Sequence, residues 1–202
     1  VVEWVRSGRL GQITVVRNFL TANQGIEGLG YPPDSDPPPG IDWDLWVGPA
    51  PMRRFNPLIV ANAHSNCSFM DYSGGYTPGM APHIVDLPVW ALNLGVPIET
   101  SCTGGRYVIK DDGDAPDTQD MLWHYPGLTV RWHFSQWNHH GYEFGSRARA
   151  LGIWFHGLHG TQRHHVIVAA AAPHDADGLH RQEHGEGLAD VVVEVGTAQL
   201  AD

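Results

Sequence analysis

Residues 71–94, DYSGGYTPGMAPHIVDLPVWALNL, carry the change of pattern on which the fold turns. Ser73-Gly74-Gly75 reads as a glycine turn, and Pro78 is suited to the first turn of a helix, where its missing N–H is not needed. On that helix His83, Asp86 and Trp90 fall three and four residues apart and so share one face. Ile84, Leu87 and Ala91 form an adjacent stripe suited to packing. A histidine and a carboxylate one turn apart, entered through a glycine loop, suit proton transfer on a polar substrate. The same spacing also suits a satisfied core histidine, with Asp86 as its hydrogen-bond partner, and by itself it favours that structural role.

Downstream, Gly95 and Pro97 stop the helix. Beyond them the chain reads as strands: 98–109, interrupted at Gly104-Gly105, then 118–125 and 128–137 across a Pro126-Gly127 turn. Arg131, His133 and Ser135 alternate with Val130, Trp132, Phe134 and Gln136, the signature of a strand with two unlike faces. Residues 110–117 form an acidic turn, expected to be solvated, and 138–146 a polar loop. Residues 151–156 are expected to pair with 162–169. Upstream, 61–72 leads into the glycine turn and offers His64 and Asp71 to a cleft. Residues 21–56 are a long loop, because Pro37-Pro38-Pro39-Gly40 fits neither a helix nor a central strand. Trp43, Leu45, Trp46 and Phe55 are its apolar anchors. Residues 13–20 have the β-branched content of a strand, and 1–7 read as the end of a helix closed by Gly8 and Gly11. The fold class is α+β: one open, mainly antiparallel β-sheet with helices on one face.

A chain of 202 residues can bury a sizeable core. A net charge of −10 with no Lys/Arg cluster argues against a nucleic-acid surface. No apolar run is long enough to span a membrane. Cys67 and Cys102 are too few for a disulfide framework or a four-cysteine zinc site. The chain opens in mid-pattern at Val1, without Met, so a preceding segment is expected and any targeting signal would lie there. The compartment is therefore open: cytoplasmic, or periplasmic if that segment carries a signal. Residues 171–202, rich in His, Ala and Gly, are expected to be a poorly ordered or aberrant tail.

The run GGYTPGMAPHIVDLPVWAL resembles the segment of Gfo/Idh/MocA-type NAD(P)-dependent oxidoreductases in which a glycine pair leads into a helix bearing a His and then an Asp. The resemblance extends through GIDWDLWVGPAP (40–51), Arg54-Phe55-Asn56-Pro57, Pro116-Asp117-Thr118 and Gly152-Ile153-Trp154-Phe155. It covers 1–161 and corresponds to the C-terminal, substrate-binding half of a bacterial branch. It implies a dihydrodipicolinate-reductase-like or glyceraldehyde-3-phosphate-dehydrogenase-like C-terminal domain over 1–170. The N-terminal Rossmann domain, which would hold NAD or NADP, is absent from this chain, and no GxGxxG follows a strand here. By the resemblance, His83 polarises or deprotonates a hydroxyl of a sugar, polyol or sugar derivative, and Asp86 orients it. Asp71, Tyr72 and His64 are candidate contacts to substrate hydroxyls.

In one respect the chain departs from the family. An Asp usually stands four residues before the His, and here that position is Gly79. The family's sheet face also commonly joins subunits, which implies a homo-oligomer with Trp132, Phe134 and Trp137 on an apolar face. Two other classes stay open. One is a non-catalytic interaction module. The other is a histidine-based metal protein, disfavoured because adjacent pairs such as His139-His140 point to opposite faces of a strand and no HExxH or CxxC is present.

Overall fold

The computed structural model describes residues 1–22, 24–137 and 149–165. The expected polar loop 138–146 and the expected tail 171–202 lie outside the described residues, as do 166–169 of the last strand. Among the described residues, seven short helices and six strands run in the order α1 Val2–Arg6, β1 Ile13–Ala22, α2 Trp43–Val47, α3 Pro57–Ala61, α4 Ala63–Asn66, α5 Met70–Ser73, α6 Tyr76–Met80, α7 Pro82–Leu92, β2 Glu99–Gly105, β3 Thr118–Tyr125, β4 Leu128–Ser135, β5 Arg149–Gly157 and β6 Gly160–His165.

The strands form one open sheet in the order β2-β3-β4-β1-β5-β6. Every neighbouring pair is antiparallel except β1 and β4, which run parallel with Val16 opposite Val130 and Leu20 opposite Phe134. The expected meander is thus interrupted by β1, which returns from the start of the chain to lie between β4 and β5. Its central place explains its composition. Asn18, Phe19, Leu20, Thr21 and Ala22 are all buried, so this half of the strand is covered on both sides.

One face of the sheet carries Val16 and Leu20 from β1, Val130, Trp132 and Phe134 from β4, and Leu151, Ile153 and Phe155 from β5. They pack with Tyr76 of α6 and Ile84 and Ala91 of α7 in the main core. Trp132 and Phe134 are 0% and 1% exposed on this side. That corrects the expectation that they mark an apolar subunit face: the alternation is as read, but the helices cover the aromatic side. The opposite face presents Arg17, Arg131 and His133 instead.

The central helix also starts later than Pro78. Tyr76–Met80 is a separate turn, and α7 opens with Pro82 at its first position. Both prolines satisfy the same local rule, and tertiary packing chose the second. Buried Pro88 sits inside α7, a position that removes one helical hydrogen bond. The far end is well closed. Asn93 takes the left-handed conformation (φ 51°), and Arg6 donates from Nε to Ala91 O (3.1 Å) and from Nη2 to Trp90 O (2.6 Å). A cation at a helix C-terminus complements the dipole there, and it ties α1 to α7.

A second core of Trp43, Val47, Phe55, Ile59 and Phe69 organises the long loop. The acidic run 110–117, expected to be solvated, latches this loop to the rest. Asp111 pairs with Arg106 and accepts from Leu29 N (2.8 Å), while Asp114 accepts from Met70 N (2.8 Å). Asn56 caps α3 through Leu58 N (3.1 Å) and donates to Pro32 O (3.1 Å), with the Asp34 and Asp112 carboxylates also in reach. An Asn56→Ala variant should lose about 2 kcal/mol in urea unfolding, since a cap and a buried donor set go together.

Candidate functional site

The glycine pair does what its position demands. Gly74 and Gly75 have φ of 71° and 96°, a conformation that side-chain-bearing residues rarely adopt, so the chain reverses between α5 and α6. From there α7 is held from beneath by Ile84, Pro88 and Ala91, all buried. His83 and Asp86 lie on its opposite, exposed side, with Trp90 further along at 61% exposure. Neither the His83 ring nor the Asp86 carboxylate has a hydrogen bond or ion pair among the described residues. His83 is therefore not a satisfied core histidine; it is an imidazole standing in solvent on an anchored helix.

The remaining candidates lie apart from this pair. His64, on α4, packs edge-on against Tyr76 with ring centroids 5.0 Å apart, and its Nε2 meets the side-chain amide of Gln24. Tyr76 is the hub of this corner. Its hydroxyl donates to His64 O (2.8 Å), receives Gln24 Nε2 (3.2 Å) and lies 3.3 Å from Ser68 Oγ, while its ring stacks on Phe134 at 4.9 Å. Burial pushes the Tyr76 hydroxyl above its ordinary range, opposed in part by the bonds to Ser68 and Gln24. It thus stays a neutral donor.

Tyr72 belongs to the loop core. It lies beside Trp46 (5.3 Å) and Trp43 (6.3 Å) and donates to Pro51 O (3.1 Å). Asp71 is exposed next to it. No hydrogen bond or ring contact among the described residues joins His64, Asp71 or Tyr72 to His83 or Asp86. Gln24, Ser68 and Tyr76 were not singled out from the sequence, because nothing local marks a tyrosine whose partners lie 8 to 52 residues away.

Gly79, where the resembling family carries a carboxylate, has a steric reason. A Cβ added there would collide with Sγ of buried Cys67. Beside it, Trp132 Nε1 donates to Thr77 Oγ1 (2.9 Å), and Thr77 in turn donates to Gln119 Oε1, fixing α6 to the sheet.

Two other features bear on function. A shallow recess on the sheet face away from α7 is lined by Arg17, Asn18, Phe19, Arg131, His133 and Trp154. Among the described residues no three His, Cys, Asp or Glu side chains gather as metal ligands would, and no helix is long and apolar enough to cross a membrane.

Comparison with known proteins gives the fold. No family model matches the chain, and no curated protein matches it. Among solved structures, GenD2 from gentamicin A biosynthesis, in complex with NAD, is similar with a TM-score of 0.50 and 15% identity over 82% of this chain and 35% of its own. Levoglucosan dehydrogenase, in complex with NADH and levoglucosan, is similar with a TM-score of 0.50 and 12% identity over 81% of this chain and 36% of its own. The architecture is that of the C-terminal domain of Gfo/Idh/MocA-type oxidoreductases. At these identities the likeness establishes the fold alone. The chain spans little more than a third of these neighbours' length.

Proposed function

We propose that this chain is the substrate-binding, C-terminal part of a nicotinamide-dependent oxidoreductase acting on a sugar, polyol or sugar derivative. The observation that carries the reading is the outward-facing His83–Asp86 pair on an anchored helix, in a fold shared with proteins crystallised with NAD or NADH. Anchoring matters because a catalytic group must be held in place before the substrate arrives.

In this reading His83 takes the proton from a substrate hydroxyl as the adjoining carbon is oxidised. An imidazole can accept and return a proton within the physiological pH range. Asp86, one turn along, stabilises the imidazolium so formed. Asp71, Tyr72 and His64 are secondary candidates for hydroxyl contacts, and Tyr76 holds the backbone of His64. The chain's described residues do not themselves form a dinucleotide cradle. β1 runs on into the long loop rather than through a glycine-rich turn into a helix, and Gly75 opens only the five-residue α6. NAD or NADP would be held mainly by an N-terminal domain, with 1–170 as the substrate domain and 171–202 as a tail.

The test is to express the chain with the coding sequence that precedes it and to follow NAD(P)H formation on a panel of sugars and polyols. His83→Ala should lower kcat by about 10²-fold or more, the contribution of a positioned general base, with little change in dinucleotide affinity. Unchanged kcat in His83→Ala would remove the imidazole from the chemistry. A preceding sequence without a strand and a glycine-rich turn would remove the oxidoreductase reading.

A further inference from the structure

Trp43 and Trp46 stand three residues apart on α2 and so share one side of it. Their rings stack at 4.8 Å with planes 12° apart. Trp43 is the anchor: it lies in the second core and donates from Nε1 to Arg53 O (2.8 Å). Trp46 is 40% exposed, and the loop core of Trp43, Val47, Phe55, Ile59 and Phe69 closes without it. Tyr72 shows which part of Trp46 is open. Its ring is 5.3 Å from Trp46 and 6.3 Å from Trp43, close to both, so it flanks the stack instead of capping it. The indole face turned away from Trp43 is therefore left to solvent. It is held there firmly, because Trp43 is pinned beneath and Tyr72 is tied by its hydroxyl to Pro51 O (3.1 Å).

A rigid, open indole face is a flat apolar platform, and its surroundings select what can lie on it. Asp44 on α2 and Asp71 beside Tyr72 are exposed. Carboxylates accept hydrogen bonds from hydroxyls and repel anions, and the chain as a whole carries −10. A quaternary ammonium is suited to a cage of several rings, whereas here one face is free and the second indole is spent on the first. A neutral pyranose fits both conditions, with C–H bonds on its flat face and hydroxyls at its rim. We propose that Trp46 is the stacking platform of a saccharide subsite, with Tyr72 as its side wall and Asp44 and Asp71 as acceptors for hydroxyls. The subsite shares Asp71 and Tyr72 with the function proposed above but neither His83 nor the cofactor, so it can fail while that function stands. A ring already fixed before the ligand arrives loses little freedom on binding, which suits it to this work.

Cellobiose, whose β-linked rings present flat C–H faces, is the probe. Saturation-transfer NMR on the chain should show its ring protons in contact with protein, with a Kd of about 1–10 mM. Trp46→Ala should weaken binding by about tenfold and Trp46→Phe by less, since a smaller ring remains. Leu45→Ala, altering the 78%-exposed neighbour, should leave it unchanged. Circular dichroism checks that each variant is folded. Three outcomes overturn the proposal. One is cellobiose binding that is absent, or equal in wild type and Trp46→Ala. Another is choline binding that is lost in Trp46→Ala while cellobiose binding is not. The third is light scattering showing a dimer that Trp46→Ala dissociates, which would make a second copy the occupant.

Discussion

Asp117→Asn should destabilise the chain by about 3 kcal/mol, and Asp117→Ala by more, because this one carboxylate terminates three backbone amides at once. It is 1% exposed and accepts from Tyr107 N (3.0 and 3.1 Å), Val108 N (2.8 Å) and Ile109 N (2.8 Å), with Thr118 Oγ1 at 3.0 Å. Its backbone is engaged too, donating to Gly105 O and accepting from Gln136 N. The segment 106–117 is therefore wound around a single anion, and the Asp111 and Asp114 latches hang from that segment. An amide oxygen is a weaker acceptor than a carboxylate, and alanine leaves every amide unpaired. Urea unfolding at neutral pH, with m unchanged, is the measurement. A loss under about 1 kcal/mol would show that water or rearrangement satisfies those amides.

The same residue predicts an acid response. Burial pushes the Asp117 carboxyl up, but the amides of Ile109, Val108 and Tyr107 and the Thr118 hydroxyl outweigh it and hold the group below its ordinary 3.8. A folded-state pKa below the unfolded one contributes stability that is full above pH 3.8 and drains as pH falls through the lower folded value. Asp120 shifts the same way, with burial outweighed by Arg131 and His133, so both add to the acid slope. Asp117→Asn should flatten the part of the stability–pH curve below about pH 4 that belongs to residue 117, and leave the part from Asp120.

The alternation along β4 was legible in the sequence because a period of two survives any tertiary context. Which side the helices would cover was not, since nothing in RWHF states whether the aromatics or the cations face the helices. The parallel insertion of β1 was hidden for a related reason. Its partner β4 lies more than a hundred residues away, and no local rule encodes that pairing. Asp117 was invisible as an anchor because a carboxylate cradled by distant amides looks, in sequence, like one more acid in an acidic turn. In the candidate site, the helical spacing of His83 and Asp86 was readable and their exposure was not. Spacing names a shared face without naming which face packs. Gly79 was read as a gap in a pattern, and only the position of Cys67 supplies its cause.

Gly79→Asp should cost on the order of 3 kcal/mol or more, because it overpacks against Cys67 and partly desolvates a charge. The informative comparison is Gly79→Ala in two backgrounds. Gly79 is inside α6, where the backbone suits alanine and the intrinsic preference favours Ala by about 0.5–1 kcal/mol. In the wild-type chain that gain should be reversed to a net loss of about 1–3 kcal/mol, because the new methyl meets Cys67 Sγ. In a Cys67→Ala background the sulfur is gone and the nearest remaining atom of residue 67, its Cβ, lies at an ordinary 3.7 Å. There the same substitution should stabilise. A change of sign between backgrounds is a coupling that only direct contact produces, and a double-mutant cycle by urea unfolding reads it. Equal effects in both backgrounds would mean that α6 shifts to make room. The glycine at position 79 would then owe nothing to contact with Cys67.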